Sequence, residues 1–257
     1  MTRYSYIVVE DPQDIEFLIR VFKYYYNLKR VKLLSELDLF WKPLVPTTFP
    51  IDDDLMKRVP VPTFLQNADL SIALHSANGI DRLANTIEES LALIPPSKIF
   101  GIGIFLDADD IETPQERFNK LISKLSSQGL SPPSILGEVM KGSPQCGIFI
   151  APNNQDSGTL ENILLECAEV NYPDLLNLSN RYLSEIDATK LTGKDLKELK
   201  KPAGKKKAII SIISSILKPG KALQVSIQDN RWVDEKTIQL DSIKLVKKFL
   251  DEVTGFT

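Results

Sequence analysis

The chain has 257 residues, 43% of them hydrophobic and 25% charged, with a formal net charge of −3. This composition excludes wholesale disorder, and the length suffices for a real hydrophobic core in one large domain or two small ones. With 31 basic against 34 acidic residues there is no global basic field to draw nucleic acid, so any such binding would use a local patch.

The start, MTRYSYIVVEDPQD, sets an acidic cluster straight after a short apolar run, which is not a signal-peptide pattern. Tyr4 to Val9 is apolar, β-branched and aromatic, and its length predicts a buried strand ending at Glu10. Ile15, Leu18, Ile19 and Phe22 then recur at helical spacing. A helix is expected from near Asp14, with Asp11 as N-cap and Pro12 suited to the first helical position. Residues 41–62 hold five of the sixteen prolines, so an irregular surface insertion is expected there, with Asp52, Asp53 and Asp54 as a solvated loop or cap.

Leu70 to Leu74 reads as a second strand running into the turn Ser76-Ala77-Asn78-Gly79. Asp81 to Leu93 reads as a helix closed by Pro95-Pro96. Ile99 to Leu106 is the most strand-like run and ends in Asp107-Ala108-Asp109-Asp110. Thr113, Pro114 and Glu116 form a T-x-x-E helix start. Phe118, Leu121, Ile122 and Leu125 give its apolar stripe, and Gly129 is placed to end it. Cys146 to Ala151 is a fourth strand, followed by a polar loop and a helix carrying Leu160, Ile163, Leu164 and Cys167. Helical patterns then fall near 174–186, 193–200, 207–217 and 242–253, with Val225 to Gln228 read as a short strand or a loop.

Alternating strands and helices imply an α/β fold, a parallel sheet covered on both faces. The expected organisation is an α/β domain over residues 1–170, with the Pro-rich insertion near 41–69, and a mainly helical C-terminal extension over 171–257. No apolar run reaches the roughly 20 residues of a membrane helix, so no membrane partner is expected. Only Cys146 and Cys167 are present, which excludes a disulfide scaffold and points to a reducing, cytoplasmic setting.

Functional residues of open parallel sheets gather at the carboxyl ends of the strands. Glu10 ends the first strand, Asp14 lies one helical turn on, and Asp107 and Asp109 follow the third. Packed carboxylates repel unless a cation or protons neutralise them, and oxygen-only ligands favour Mg²⁺ or Mn²⁺. Set against this, a D-x-D is common in an acidic chain, and solvated loops often carry Asp as a helix cap.

IVVEDPQD (Ile7 to Asp14) followed by GIGIFLDADD (Gly101 to Asp110) resembles the Toprim signature, in which a Glu closes the first strand and a D-x-D a later one. More closely, the chain resembles uncharacterised Toprim-like proteins related to the nuclease domain of OLD-family proteins. SANGIDRLAN (Ser76 to Asn85), GIFIAPNNQDSGTLENILLE (Gly147 to Glu166) and Arg231-Trp232-Val233-Asp234 with Phe249-Leu250 extend the resemblance over most of the chain. The resemblance implies a Toprim-like sheet and a divalent-metal site for phosphodiester chemistry. Glu10 and Asp14 would be its E-x-x-x-D pair, Asp107 and Asp109 its D-x-D, and Glu161 the acid of a G-x-L-E segment, with Glu10 in acid–base work. The pattern departs from the family in three places. Asp11 stands where a Gly often follows the Glu. Asn153 and Asn162 stand where acids are expected, so a second metal would be held weakly or not at all. No separate tyrosine-bearing domain or P-loop is present, which excludes strand passage and an ATPase half.

Lys194 to Lys207 contains seven lysines and two acids. It reads as a solvated helix end with a Pro-Ala-Gly turn, or as a basic loop in which Lys205, Lys206 and Lys207 grip phosphates of nucleic acid. His75 reads as a structural imidazole ahead of a general base. The three tyrosines at 24–26 read as core and surface ahead of a stacking platform, and the two cysteines as buried thiols. The leading expectation is a metal-dependent phosphodiesterase or nuclease-like protein acting on nucleic acid. The alternatives are a non-catalytic Toprim-like module that binds nucleic acid or a protein partner, and an interaction domain that uses the Pro-rich insertion for an oligomer contact.

Overall fold

The computed structural model describes residues 2–48, 60–109, 111–127 and 130–256. Asp52 to Asp54, Asp110 and Gly129 lie outside them. The strands are β1 (Arg3–Val9), β2 (Lys29–Arg30), β3 (Thr63–Gln66), β4 (Leu70–Ser76), β5 (Ile99–Asp107), β6 (Val139–Met140) and β7 (Gln145–Ala151). The helices are α1 (Pro12–Tyr26), α2 (Leu83–Leu93), α3 (Pro114–Ser127), α4 (Leu160–Asn171), α5 (Pro173–Ser184), α6 (Gly204–Leu217), α7 (Leu223–Asp229) and α8 (Asp241–Thr254). They form an α/β fold around one sheet of order β2-β3-β4-β1-β5-β7-β6. The four strands expected from sequence form its parallel centre, β4-β1-β5-β7. The short strands β2 and β3 on one side and β6 on the other pair antiparallel, so the sheet is mixed at its edges.

The period of two along each strand divides the core into two layers. Ile7, Val9, Phe105 and Phe149 face the layer built from α1, α4, α6 and α8. Tyr6, Val8, Ile104 and Ile150 face α2 and α3. Phe105 and Phe149 stack across β5 and β7 with centroids 5.4 Å apart. Three glycines on the first face make room for α8. A Cβ on Gly101 would lie 1.9 Å from the Val253 carbonyl oxygen, one on Gly147 would lie 2.9 Å from a Val253 methyl, and Gly103 is nearly as tight. The C-terminal helix thus lies directly on the sheet floor.

Local chemistry explains where the elements begin. Pro12 opens α1, two residues ahead of the expected start, and the Asp11 N–H donates to Asp14 Oδ2 at 2.8 Å. The Thr113 and Glu116 exchange that starts α3 is formed as expected, with Thr113 N–H to Glu116 Oε2 at 2.9 Å and Glu116 N–H to Thr113 Oγ1 at 3.2 Å.

Three local expectations need correction. Val225 to Gln228 belongs to α7, because Ile227 is buried against the α1 layer at helical pitch. Residues 193–200 form successive turns rather than a helix, since Leu196 is the only one of them buried and Thr192 is tied to Asp195 instead. The Pro-rich segment is not wholly on the surface. Leu39–Leu44 is a 3-10 helix whose Trp41 is fully buried and donates from Nε1 to Ser71 Oγ at 2.9 Å. Strand β3, paired between β2 and β4, also falls within the span expected to be inserted.

Candidate functional site

The sheet brings four of the five predicted acids to its carboxyl edge. Glu10 follows β1, where its N–H donates to the Phe105 carbonyl at 3.2 Å. Its Oε2 accepts weakly from the Asp107 N–H at 3.4 Å, which links the ends of β1 and β5. Asp107 closes β5, and its Oδ1 accepts from the Leu160 N–H at 2.8 Å. That bond seats the carboxylate on the N-terminus of α4, where the helix dipole favours negative charge. Glu161 is the next residue of α4 and is only 3% exposed. Asp14 sits in the first turn of α1 and is 2% exposed. Asp14 Oδ1 and Glu161 Oε2 are buried without a hydrogen-bond partner among the described residues.

Burial and mutual repulsion make this group reluctant to ionise fully. Burial, then Glu161 and Glu10, pushes the Asp107 carboxyl well above the usual range. Burial, then Asp107, does the same to Asp14. Burial is also the largest cause of the upward shifts of Glu10 and Asp11. Lys207, on the first turn of α6, carries the opposing charge. Partial burial works against its ammonium, but Glu161, Asp107, Asp109 and Asp11 together hold its pKa above the ordinary lysine value.

Asp109 is placed differently. Its backbone is left-handed, with φ 65°, and its carbonyl accepts from the Gly158 N–H at 3.0 Å. Its carboxylate meets the Arg117 guanidinium at 2.7 Å, while Arg117 Nε donates to the Ala108 carbonyl at 3.3 Å. Alternation along an extended Asp107-Ala108-Asp109 segment would point both acids one way. The turn at Asp109 instead gives its carboxylate to Arg117. Of the three predicted phosphate-binding lysines, Lys206 donates to Asn162 Oδ1 at 3.2 Å, and Lys205 and Lys207 are exposed, Lys207 near enough to feel the charge of the acids.

The two amides that replace expected acids shape the backbone. Asn153 Oδ1 accepts from the Gln155 and Asp156 N–H groups, and Asn162 Oδ1 accepts from the Thr159 N–H. Sequence reasoning missed Arg117. The available signal was its place in the Pro114, Arg117, Leu121 stripe of α3, where an arginine interrupts an apolar face and is 8% exposed. His75 is held by Tyr6, whose hydroxyl lies 2.8 Å from Nδ1 and 2.7 Å from Ser90 Oγ, and burial pulls the imidazole down to about 4. A histidine so placed is neutral and structural. Cys146 and Cys167 are both buried, and burial raises both thiols.

A metal in this site would meet carboxylate oxygens only, the donor set of a hard divalent cation. The two unpartnered oxygens fit that role. Among the described residues, however, no group of three or more His, Cys, Asp or Glu side chains already stands in position to hold an ion. Binding would therefore require side-chain rotation within the acid group.

Residues 4–253 match the family described as Protein of unknown function (DUF3226), and the chain belongs to that family. No curated protein matches it. The crystal structure of a hypothetical protein from Pyrococcus horikoshii OT3 has a similar fold, with a TM-score of 0.56 and 17% sequence identity. The likeness covers 98% of this chain and 95% of that one.

Proposed function

We propose that this member of the DUF3226 family is a metal-dependent phosphodiesterase of nuclease type, Toprim-like in its acids, that acts on nucleic acid. One observation carries the reading. Asp14 Oδ1 and Glu161 Oε2 are buried without partners inside a group of carboxylates that burial and mutual repulsion hold away from ionisation. A divalent cation would relieve that deficit. Glu10, Asp107, Asp14 and Glu161 would hold Mg²⁺ or Mn²⁺, and Asp109 would join them on leaving Arg117. When bound, the ion would supply an activated water and charge stabilisation at the phosphate. The Toprim resemblance gives Glu10 the acid–base work, and its place at the end of β1, linked to the Asp107 N–H, puts it at the edge where a phosphate would approach. Lys207 would place a positive charge where a phosphate would approach, and the exposed Lys205 would extend it. Among the described residues no helix is long and apolar enough to cross a membrane. A cytoplasmic setting, consistent with two buried thiols, belongs to the same proposal.

Titration calorimetry with Mn²⁺, paired with hydrolysis of a chromogenic phosphodiester, tests this reading. Wild type should bind and hydrolyse, and Asp107→Asn should do neither. A folded wild type that binds no Mn²⁺ would refute it.

A second reading has its own support. Asp109 is paired with Arg117, Lys207 already feels the charge of the acids, and no ready-made cage is present among the described residues. In that reading the chain is a non-catalytic Toprim-like module that binds nucleic acid or a protein partner, with Lys207 as its internal counter-charge. Retained stability without metal, together with no hydrolysis under any divalent ion, would select it.

A further inference from the structure

We propose that the cavity beside the acid group takes a single nucleotide unit, so that strand ends and dinucleotides, rather than duplex interiors, are the substrates. This inference rests on the phosphodiesterase reading. The cavity has a volume of about 590 Å³, and Asp109 and Lys207 line it. Such a volume suits one small organic ligand rather than a polymer groove. Asp109 stands two residues beyond Asp107 at the carboxyl end of β5, so the cavity lies at the edge where the acids gather.

Its other wall is apolar, made by Ile111, Leu199, Pro202 and Ala203. Ile111 is 82% exposed, an unusual position for a large β-branched side chain beside a charged site. Gly204 lets this wall form. A Cβ there would lie 2.3 Å from the Glu198 carbonyl oxygen and 2.5 Å from that of Leu199, so only glycine allows the 198–199 turn to press against the start of α6. The lining therefore offers both a cation and an apolar surface. A nucleotide has both complements: its phosphate would meet Lys207 and the acid site, and its base would lie on Ile111, Leu199 and Pro202.

Charge disfavours a duplex. Binding through the DNA backbone commonly uses roughly six to ten phosphate contacts. On this face Lys201 is committed to Glu198 at 2.6 Å and Lys206 to Asn162 at 3.2 Å, and the chain as a whole is acidic. At the start of α6 the exposed Lys205 and Lys207 remain, which matches one or two phosphates.

The test is calorimetric titration of the Mn²⁺-loaded protein with AMP, adenosine and inorganic phosphate. AMP should bind at least roughly tenfold more tightly than either fragment, since the cation and the apolar surface both contribute. Ile111→Ser removes apolar surface without removing charge, and its exposed side chain makes the variant safe to fold. It should weaken AMP by roughly tenfold, the scale of an apolar side-chain contact, while Mn²⁺ titration is unchanged. An open-ended duplex should be degraded and the same duplex sealed by hairpin loops at both ends should not. Mn²⁺ binding with no preference for AMP over phosphate, or with Ile111→Ser indistinguishable from wild type, would overturn the cavity assignment alone. Equal degradation of the sealed duplex would overturn it too. No Mn²⁺ binding by the folded protein would overturn the phosphodiesterase reading, and this inference with it.

Discussion

Replacing Asp107 with asparagine keeps the shape and one hydrogen bond of the side chain while removing its charge. The Leu160 N–H at 2.8 Å can still donate to the amide oxygen. Around it, Glu10, Asp11, Asp14 and Glu161 complete a set of five carboxylates, against which Lys207 and, at Glu10, Arg117 act among the described residues, so the set is under-compensated if all ionise. Asp109 adds little, because Arg117 neutralises it. The folded-state pKa of Asp107 lies above its unfolded value, so ionisation costs the folded protein more than the unfolded chain. No cost exists below the unfolded aspartate value of 3.8. It grows as pH rises through the folded value and is complete above it. Asp107→Asn should therefore melt higher than wild type in chelator, and the difference should widen from acid to neutral pH.

Divalent metal should reverse the order. An ion bound only to the folded state stabilises by about 2.7 kcal/mol at a free concentration of 100 Kd. For a chain of this size 1 kcal/mol corresponds to roughly 2–4 °C, so the wild-type Tm should rise by about 5–10 °C in saturating Mn²⁺. The variant should not respond. Binding should also release protons, visible as a dependence of the titration enthalpy on the buffer. Scanning calorimetry of both proteins, with and without Mn²⁺ and across pH, measures all of this. A variant that melts below wild type at neutral pH in chelator would refute the repulsion argument, and equal Mn²⁺ shifts in the two proteins would refute the assignment of Asp107 as a ligand.

Three further outcomes follow from packing. Gly101→Ala should destabilise by about 1–3 kcal/mol or more in urea, because its Cβ meets the Val253 backbone and must lift α8 from the sheet, whereas Gly193→Ala, with open space around it, should be nearly neutral. Trp41→Ala should cost about 3–5 kcal/mol by the same measurement, and a change below about 1 kcal/mol would show that the Pro-rich segment is not anchored in the core. Arg117→Gln should cost about 1–3 kcal/mol, since the buried guanidinium loses the Ala108 carbonyl and the Glu112 contact as well as Asp109. It should also alter the Mn²⁺ affinity by freeing Asp109, and unchanged affinity would place Asp109 outside the site.

The legible parts of the fold were those with a strong local period. All four central strands were visible because each is a short, continuous apolar run between turn residues, the mark of a sheet covered on both faces. The starts of α1 and α3 were visible because capping is a property of three or four consecutive residues. Trp41 was not, because proline density marks irregular backbone and carries no information on which side chain turns inward. Nor was β6, two residues long, whose place depends on β7 rather than on its own sequence. At the site, strand ends located Glu10 and Asp107, since parallel strands carry their terminal residues to one edge. The direction of Asp109 depended on a single left-handed residue and on Arg117, eight positions away. Neither is written in a D-x-D.

Asp14 shows how closely site and core are joined. It stands one residue before Ile15 and four before Leu18, on the α1 surface that packs against the sheet. A carboxylate on that stripe serves burial badly unless something else on the buried side balances its charge. One of its oxygens does local work by accepting from the Asp11 N–H at the helix start, and the other has no partner. A helix start needs only the first oxygen, and a partly exposed cap would supply it at less cost. The depth of Asp14 is therefore not explained by α1 alone. On the proposed reading, a cation held between Asp14 and the acids at the end of β5 would account for it. Asp14→Asn separates the two roles: the amide oxygen can keep the cap while the charge is lost. If the cap were the whole purpose, the variant would be more stable and equally responsive to Mn²⁺. If the acids form one cation site, it should gain stability in chelator and lose most of the metal response.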